Sequence, residues 1–180
     1  MYRHIGFIGR FQPAHTGHAN VVKQLLKKAG RISILIPNYR QHTNKNPLSG
    51  HEAKTVLALT LSDSEIPLHR ISIRTVRRPK DDSTPPLQYT YRRLVKNSGT
   101  KLTVFTANPK VARELEAFGA PVALFNRIQA RGGPVSSTEV RRRIMDGRPW
   151  NRFLTPNAHK FIVENGIDQR IRALSARGVG

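Results

Sequence analysis

Apolar positions along the chain alternate between short continuous runs and longer stretches in which they recur every three to four residues. The short runs predict buried strands, and the stretches with helical spacing predict amphipathic helices. The predicted strands comprise residues 5–9, 31–36, 71–76, 102–106 and 121–125. The predicted helices comprise residues 19–29, 49–61, 87–96, 108–119, 136–147 and 155–166, with a further helical stretch at the end of the chain. Strands and helices therefore alternate from the first strand onward.

Polar residues mark the starts of several of these helices. Ser49 with Glu52, and Ser136 with Glu139, have the spacing of a capping box, in which each side chain binds the other residue's backbone amide. Asn108, which a proline follows, can cap a third helix. These signals support the helix starts that the apolar spacing predicts.

Strands that alternate with helices imply a mostly parallel sheet with right-handed crossovers and ligands at the carboxyl ends of the strands. We therefore predict an α/β fold: a Rossmann-like, doubly wound parallel sheet with helices on both faces and a small C-terminal helical segment. Residues 1–150 would form this core, and residues 151–180 a helical extension of the same domain. Residues 77–86 are rich in proline and charge and are predicted to form a mobile loop.

The composition indicates which kinds of molecule the chain can bind and which kinds of site it lacks. Among 180 residues, 31 are Lys or Arg and 11 are Asp or Glu, a formal net charge of +20, so anionic partners such as nucleotides or nucleic acid are expected. The absence of cysteine excludes a disulfide framework, a thiolate zinc site and a cysteine nucleophile. No apolar run approaches the roughly 20 residues of a membrane span, so we expect a soluble, cytoplasmic protein without a membrane partner.

The first candidate for chemistry is the segment 9–18, which we call the histidine turn and which joins the first strand to its helix. In this architecture that connection presents backbone amides to phosphate. The segment has neither the Gly-x-Gly-x-x-Gly spacing nor a Walker lysine. His15 and His18 are spaced to share one helix face, and Gly17 between them lets a ligand approach the backbone. The alternatives are half of a metal site, which lacks a third ligand nearby, and two ordinary surface histidines.

The second candidate is the start of the helix that carries three consecutive arginines at 141–143. Ser136, Ser137 and Thr138 offer hydroxyl groups and free amides there, and such a helix start binds anions. Arg141 lies about one turn further on and should reach the same phosphate, whereas the other two arginines project to other faces. The alternative is a capped, solvated basic helix.

Taken together, Gly9-Arg10-Phe11-Gln12-Pro13-x-His15-x-Gly17-His18 and Ser136-Ser137-Thr138-Glu139-Val140-Arg141 resemble the nucleotidyltransferase superfamily, whose mark is His-x-Gly-His. Within it the chain resembles the archaeal-type nicotinamide-nucleotide adenylyltransferases, to which the Gly-Arg-Phe-Gln-Pro lead-in is more specific. The resemblance extends over most of the chain. Ser137 stands where the family usually has glycine, and Ala14 where it often has an aromatic residue.

The resemblance implies adenylyl transfer from ATP to the 5′-phosphate of nicotinamide mononucleotide (NMN), with Mg²⁺ held mainly by the ATP phosphates. The implied catalytic residues are His15, His18, Arg10 and Arg141. The implied ATP- and phosphate-binding residues are Gly9, Gln12, Gly17, Ser136, Ser137 and Thr138. On the NMN side, Tyr89 and Tyr91 are the candidates for stacking on the nicotinamide, with Tyr89 favoured, and Asn108 is the candidate for a further contact. Helix packing of the tyrosines and capping by Asn108 are the alternatives.

Two other interpretations stay open. The same chemistry could act on another phosphorylated acceptor, such as phosphopantetheine or flavin mononucleotide. The charge of +20 alternatively indicates a nucleic-acid-binding module, although it is spread along the chain and no RNA or DNA motif accompanies it. A nonspecific affinity for nucleic acid and a homo-oligomer are compatible with the sequence.

Overall fold

The computed structural model describes residues 1–38, 42–77, 83–125 and 135–176. Five strands in these ranges form one sheet: β1 (Tyr2–Ile8), β2 (Ala29–Pro37), β3 (Ile71–Val76), β4 (Thr103–Thr106) and β5 (Val122–Leu124). Every pairing is parallel, and the strand order is β3-β2-β1-β4-β5. The helices are α1 (Thr16–Lys28), α2 (Gly50–Asp63), α3 (Pro86–Ser98), α4 (Pro109–Ala117), α5 (Ser137–Met145), α6 (Pro156–Glu164) and α7 (Ile167–Ala176).

Apolar side chains of the sheet supply two cores, one on each face. Ile32, Ile34 and Ile36 of β2 belong to the larger core, in which α1, α2, α5, α6 and α7 also take part. Leu35, between them in sequence, belongs to the smaller core with Leu94 of α3 and others. Because side chains alternate across a strand, this division shows that helices cover both faces. The predicted doubly wound α/β fold is confirmed.

The strand order also determines where the sheet has a crevice that can bind a ligand. The chain moves outward from β1 to β2 and β3, then crosses back to place β4 on the other side of β1. The connections after β1 and β4 therefore diverge at the carboxyl end of the sheet, where ligands bind in open α/β sheets. The histidine turn follows β1 directly, so it lies at this divergence.

The boundaries depart from the predictions where polar residues continue an element. β1 begins at Tyr2 rather than at residue 5, because Tyr2 and His4 pair with Ala29 and Arg31 of the neighbouring strand β2. β3 agrees with the predicted bounds, and α1 begins at Thr16 rather than at residue 19. The predicted mobile loop at 77–86 includes residues 78–82, which lie outside the described residues. None of the described helices has the length and hydropathy that crossing a bilayer requires.

Candidate functional site

The histidine turn leaves the sheet through a backbone conformation that packing holds in place. Phe11 has a φ of +51°, a left-handed value that costs a residue with a side chain on the order of 1 kcal/mol. Its ring is only 2% exposed and meets the Phe7 ring edge-to-face, with centroids 5.7 Å apart. A Cβ at Gly9 would lie 2.9 Å from the Phe11 ring, so glycine is needed for this fold of the turn. The peptide bond between Gln12 and Pro13 is cis.

The two histidines stand together at the start of α1. His15 is the N-cap residue and His18 lies in the first turn, and their ring centroids are 3.9 Å apart. The backbone N–H of His15 donates to Nδ1 of His18 at 3.2 Å. Since Nδ1 accepts this bond, the neutral ring of His18 carries its proton on Nε2, which is then a donor. A Cβ at Gly17 would lie 2.9 Å from Cε1 and Nδ1 of His15, so a larger residue at position 17 would clash with the observed position of this ring.

The start of α5 contacts the histidine turn directly. Ser137 Oγ donates to the carbonyl oxygen of Pro13 at 2.9 Å, across 124 positions of sequence. Ser136 caps the helix, because its Oγ accepts from the backbone N–H of Glu139 at 3.1 Å. These two segments, distant in the sequence, therefore meet in the fold. Only the serine half of the predicted capping box is seen among the described contacts.

Arg141 is the arginine of the triplet that faces the turn. It is 8% exposed, and its Nη1 donates to the carbonyl oxygen of Gln12 at 2.6 Å, while Nη2 donates to Thr138 Oγ1 at 3.3 Å. Arg142 and Arg143 instead bind the two carboxylate oxygens of Glu139. Arg142 and Arg143 thus project away from the histidine turn, and the predicted contact of Arg141 with a phosphate stays a prediction.

The site is electropositive. Burial, together with the nearby charge of Arg10, lowers the pKa of the Arg141 guanidinium from its ordinary value. In the part of the chain that the structure describes, neither Arg10 nor Arg141 takes part in an ion pair with a carboxylate. Two neighbouring cations without an acidic partner in the described ranges favour an anion close to both. A phosphate group has the charge and the acceptor atoms that this arrangement requires.

Gln12 holds the turn to a neighbouring loop. Its side chain is 4% exposed, with Nε2 donating to the Leu48 carbonyl at 3.1 Å and Oε1 accepting from the Leu48 N–H at 2.8 Å. Both ends of the amide are thus engaged by one backbone residue. The phosphate contact expected of the Gln12 side chain stays a prediction, and the observed role of the residue is to fasten the turn.

The two residues predicted on the NMN side lie at the same end of the sheet. Asn108 follows β4 and caps α4, its side chain accepting from the Lys110 N–H at 3.0 Å. The Tyr89 hydroxyl of α3 lies 3.5 Å from the carbonyl oxygen of Arg77, the residue after β3. Their substrate contacts stay predictions.

Sequence reasoning missed the loop that supports Gln12. Residues 47–49 meet the turn through Leu48, and Arg170 of α7 binds the same loop at Pro47. The capping box of Ser49 and Glu52 was predicted and is present. Nothing in the sequence around it, however, indicates that it lies beside the site. No group of three His, Cys, Asp or Glu side chains in the described ranges is arranged to hold a metal ion.

Comparison with known proteins places the chain in a family. Residues 6–143 match the cytidylyltransferase-like family. A nicotinamide-nucleotide adenylyltransferase of Saccharolobus solfataricus is 31% identical over 171 residues, which cover 92% of this chain and 93% of the relative. Another from Archaeoglobus fulgidus is 30% identical over 181 residues, covering 95% and 97%.

A solved structure shows the same fold. The bifunctional NMN adenylyltransferase/ADP ribose pyrophosphatase of Francisella tularensis, complexed with AMP and a manganese ion, superposes with a TM-score of 0.74 at 19% identity. The match covers 96% of this chain but about half, 52%, of the bifunctional chain. The chain belongs to the cytidylyltransferase-like family and, within it, to the nicotinamide-nucleotide adenylyltransferases.

Proposed function

We propose that the chain transfers the adenylyl group of ATP to the 5′-phosphate of NMN, which forms NAD and releases pyrophosphate. A phosphate oxygen of NMN attacks the α-phosphorus of ATP, and the bond from that phosphorus to the bridging oxygen of the β-phosphate breaks. The observation that carries the proposal is the contact between two distant segments, of Arg141 with Gln12 and of Ser137 with Pro13, which places a buried guanidinium beside the histidine turn.

The site suits a reaction between two anions. The attacking phosphate is already ionised at neutral pH, so the enzyme needs no general base and no nucleophilic side chain. Its task is to align the two phosphates and to stabilise the negative charge of the in-line transition state. Positive groups and N–H donors at two helix starts meet this requirement.

Individual roles follow from position. Arg10 and Arg141 bind the triphosphate and the leaving pyrophosphate, and His15 and His18 donate hydrogen bonds near the α-phosphate, where each donor contributes roughly 2 to 4 kcal/mol. Nε2 of His18 is suited to this because the contact with the His15 amide fixes the proton there. The backbone at Gly9 and Gly17, with Gln12 and the hydroxyl groups of α5, completes the phosphate site. These hydroxyls belong to Ser136 and Thr138, whereas Ser137, whose hydroxyl donates to the Pro13 carbonyl, contributes its backbone amide.

The remaining assignments concern the acceptor and the cation. We assign Tyr89 to the nicotinamide ring and Asn108 to a polar contact with NMN, because both lie at the carboxyl end of the sheet. Mg²⁺ enters with ATP as part of the nucleotide substrate, since hard divalent cations bind phosphate oxygens. We place the reaction in the cytoplasm.

We also propose that residues 151–180 extend the same domain as residues 1–150. The supporting observation is that Ala158, Ile162, Ile167 and Ile171 are at most 3% exposed and belong to the larger core of the sheet. Helices α6 and α7 thus bury their apolar faces on the nucleotide-binding unit.

The direct test is to incubate the protein with ATP, Mg²⁺ and NMN and to detect NAD by mass and pyrophosphate by a coupled assay. Parallel reactions with nicotinate mononucleotide, phosphopantetheine and flavin mononucleotide define the acceptor. Pyrophosphate release with phosphopantetheine but not with NMN would overturn the choice of acceptor. Absence of product with every acceptor would overturn adenylyl transfer itself.

The surplus positive charge and the assembly state are tested in the same preparation. Nonspecific binding of nucleic acid predicts an affinity that falls steeply as salt rises. A primary role in nucleic-acid binding predicts the same steep dependence on salt, without adenylyl transfer to any acceptor. Light scattering measures whether the protein is a homo-oligomer.

A further inference from the structure

The C-terminal helix reaches the loop that supports the histidine turn. The guanidinium of Arg170 in α7 binds both oxygens of Glu52, at 2.8 and 3.0 Å, and the carbonyl oxygen of Pro47 at 3.2 Å. Glu52 also accepts from the backbone N–H of Ser49 at 2.7 Å. Arg170 and Glu52 together therefore hold residues 47–49 from the side of α7.

The other side of the same loop is fastened to the histidine turn. Leu48 is fully buried, and its N–H and carbonyl oxygen are both bound by the side-chain amide of Gln12. The carbonyl oxygen of Gln12 in turn accepts from Arg141 at 2.6 Å. A continuous series of hydrogen bonds thus joins α7, through residues 47–49 and Gln12, to the guanidinium of Arg141.

We propose that Arg170 and Glu52 are positioning residues for adenylyl transfer, which fix residues 47–49 and thereby the placement of Gln12 and Arg141. The inference rests on the proposed function and adds to it a role for the C-terminal helix. Neither Arg170 nor Glu52 touches the reacting phosphates in this assignment; both act through the loop.

The ion pair has the properties that such a role needs. Burial tends to raise the pKa of Glu52, but hydrogen bonds from Arg170 and Ser49, together with the charge of Arg170, outweigh it and lower the pKa. The carboxylate is therefore ionised at neutral pH, and the two-point contact with a planar guanidinium restricts direction as well as distance. An error of about 1 Å in the placement of a group in an active site costs up to roughly 100-fold in rate.

The first experiment compares Arg170→Ala with Arg70→Ala. Arg70 is a matched control because it also binds backbone carbonyl oxygens, those of Leu26, Ala29 and Gly30, but at the amino end of β2, away from the histidine turn. We expect Arg170→Ala to lower kcat about tenfold while the KM for ATP changes less. Arg70→Ala should lower the Tm to a similar degree and leave kcat unchanged. Equal kcat values in wild-type and Arg170→Ala protein would overturn the proposal.

A double-mutant cycle separates positioning from general loosening. If Arg170 acts through Arg141, adding Arg170→Ala to an Arg141→Ala protein should change kcat by less than about twofold. A full further tenfold loss in that background would mean that Arg170 does not act through Arg141. Arg170→Lys keeps the charge but loses the planar two-point contact, so it should recover only part of the rate.

Amide hydrogen exchange tests the same series of contacts without any assay of activity. In Arg170→Ala, exchange should quicken in peptides that span residues 47–52 and 10–14, whereas Arg70→Ala should leave both unchanged. Unchanged exchange at residues 10–14 in Arg170→Ala would overturn the positioning role. If the wild-type protein forms no dinucleotide but exchange responds as expected, the proposed function fails and the structural coupling stands by itself.

Discussion

The guanidinium of Arg141 donates a 2.6 Å hydrogen bond to the carbonyl oxygen of Gln12, although 129 positions separate the two residues in the chain. This bond places a buried cation beside the turn after β1, near enough to Arg10 for the charge of Arg10 to contribute to the lowered pKa of Arg141. Because the guanidinium is directed by both the Gln12 carbonyl and Thr138 Oγ1, it is held in place before a nucleotide binds.

Arg141→Ala should therefore lower kcat/KM for adenylyl transfer by ~100-fold or more, since it removes a charged donor aimed at the phosphates. Steady-state kinetics with ATP and NMN measure the loss. Arg142→Ala is the matched control, because Arg142 is exposed and binds Glu139 on the outer face of α5. Exposed ion pairs contribute at most about 1 kcal/mol, so we expect its kinetics to stay near those of the wild type. Equal losses in the two variants would contradict the assignment of Arg141.

The choice of Arg141 illustrates what sequence can specify. Three adjacent arginines on a helix point about 100° apart, so helical spacing alone indicates that they project to different faces. The structure agrees, because Arg142 and Arg143 bind Glu139 instead. The alternation of strands and helices could likewise be predicted, because the spacing of apolar residues that indicates each element is visible in the local sequence.

The support beneath the site could not be predicted in the same way. Gln12 binds the backbone of Leu48, 36 positions away, through amide atoms that any glutamine carries. The contact of Arg170 with Glu52 spans 118 positions. Neither leaves a periodic or local mark in the sequence, because each joins segments that are far apart in the chain. Only the three-dimensional structure brings these residues together.

Two substitutions of His18 test which ring nitrogen acts on the phosphate. His18 accepts through Nδ1 from the His15 amide, so Nε2 is the donor proposed for catalysis. The amide nitrogen of glutamine can occupy about the place of Nε2, whereas asparagine is shorter and can replace only Nδ1. We expect His18→Gln to keep a larger fraction of kcat than His18→Asn, with smaller changes in the KM for ATP. The reverse order would show that Nδ1, and not Nε2, is the important atom.

Gly17→Ala should separate stability from activity. Gly17 lies in α1, where alanine favours the helix by about 1 kcal/mol over glycine, so the Tm should not fall. The new Cβ, however, would lie 2.9 Å from the ring of His15 and must displace it. We expect kcat to fall by about tenfold or more. The control is the same change in a His15→Ala protein, where the ring is absent; an equally large further loss there would mean that Gly17 acts by another route.

The ionisation of Glu52 predicts how the stability of the protein depends on pH. Although burial favours the neutral acid, hydrogen bonds from Arg170 and Ser49 and the charge of Arg170 hold the pKa of the folded carboxyl below its unfolded value of about 4.3. The charged form therefore stabilises the fold above the unfolded pKa, and this stabilisation is lost as pH falls through the lower, folded pKa.

Denaturant unfolding at several pH values should show a difference in the free energy of unfolding between wild-type and Glu52→Gln protein that is largest near neutral pH and shrinks in acid. Glu164→Gln, which removes an exposed pair with Lys160, should stay close to the wild type throughout. A wild-type to Glu52→Gln difference that grows in acid would contradict the sign of the pKa shift.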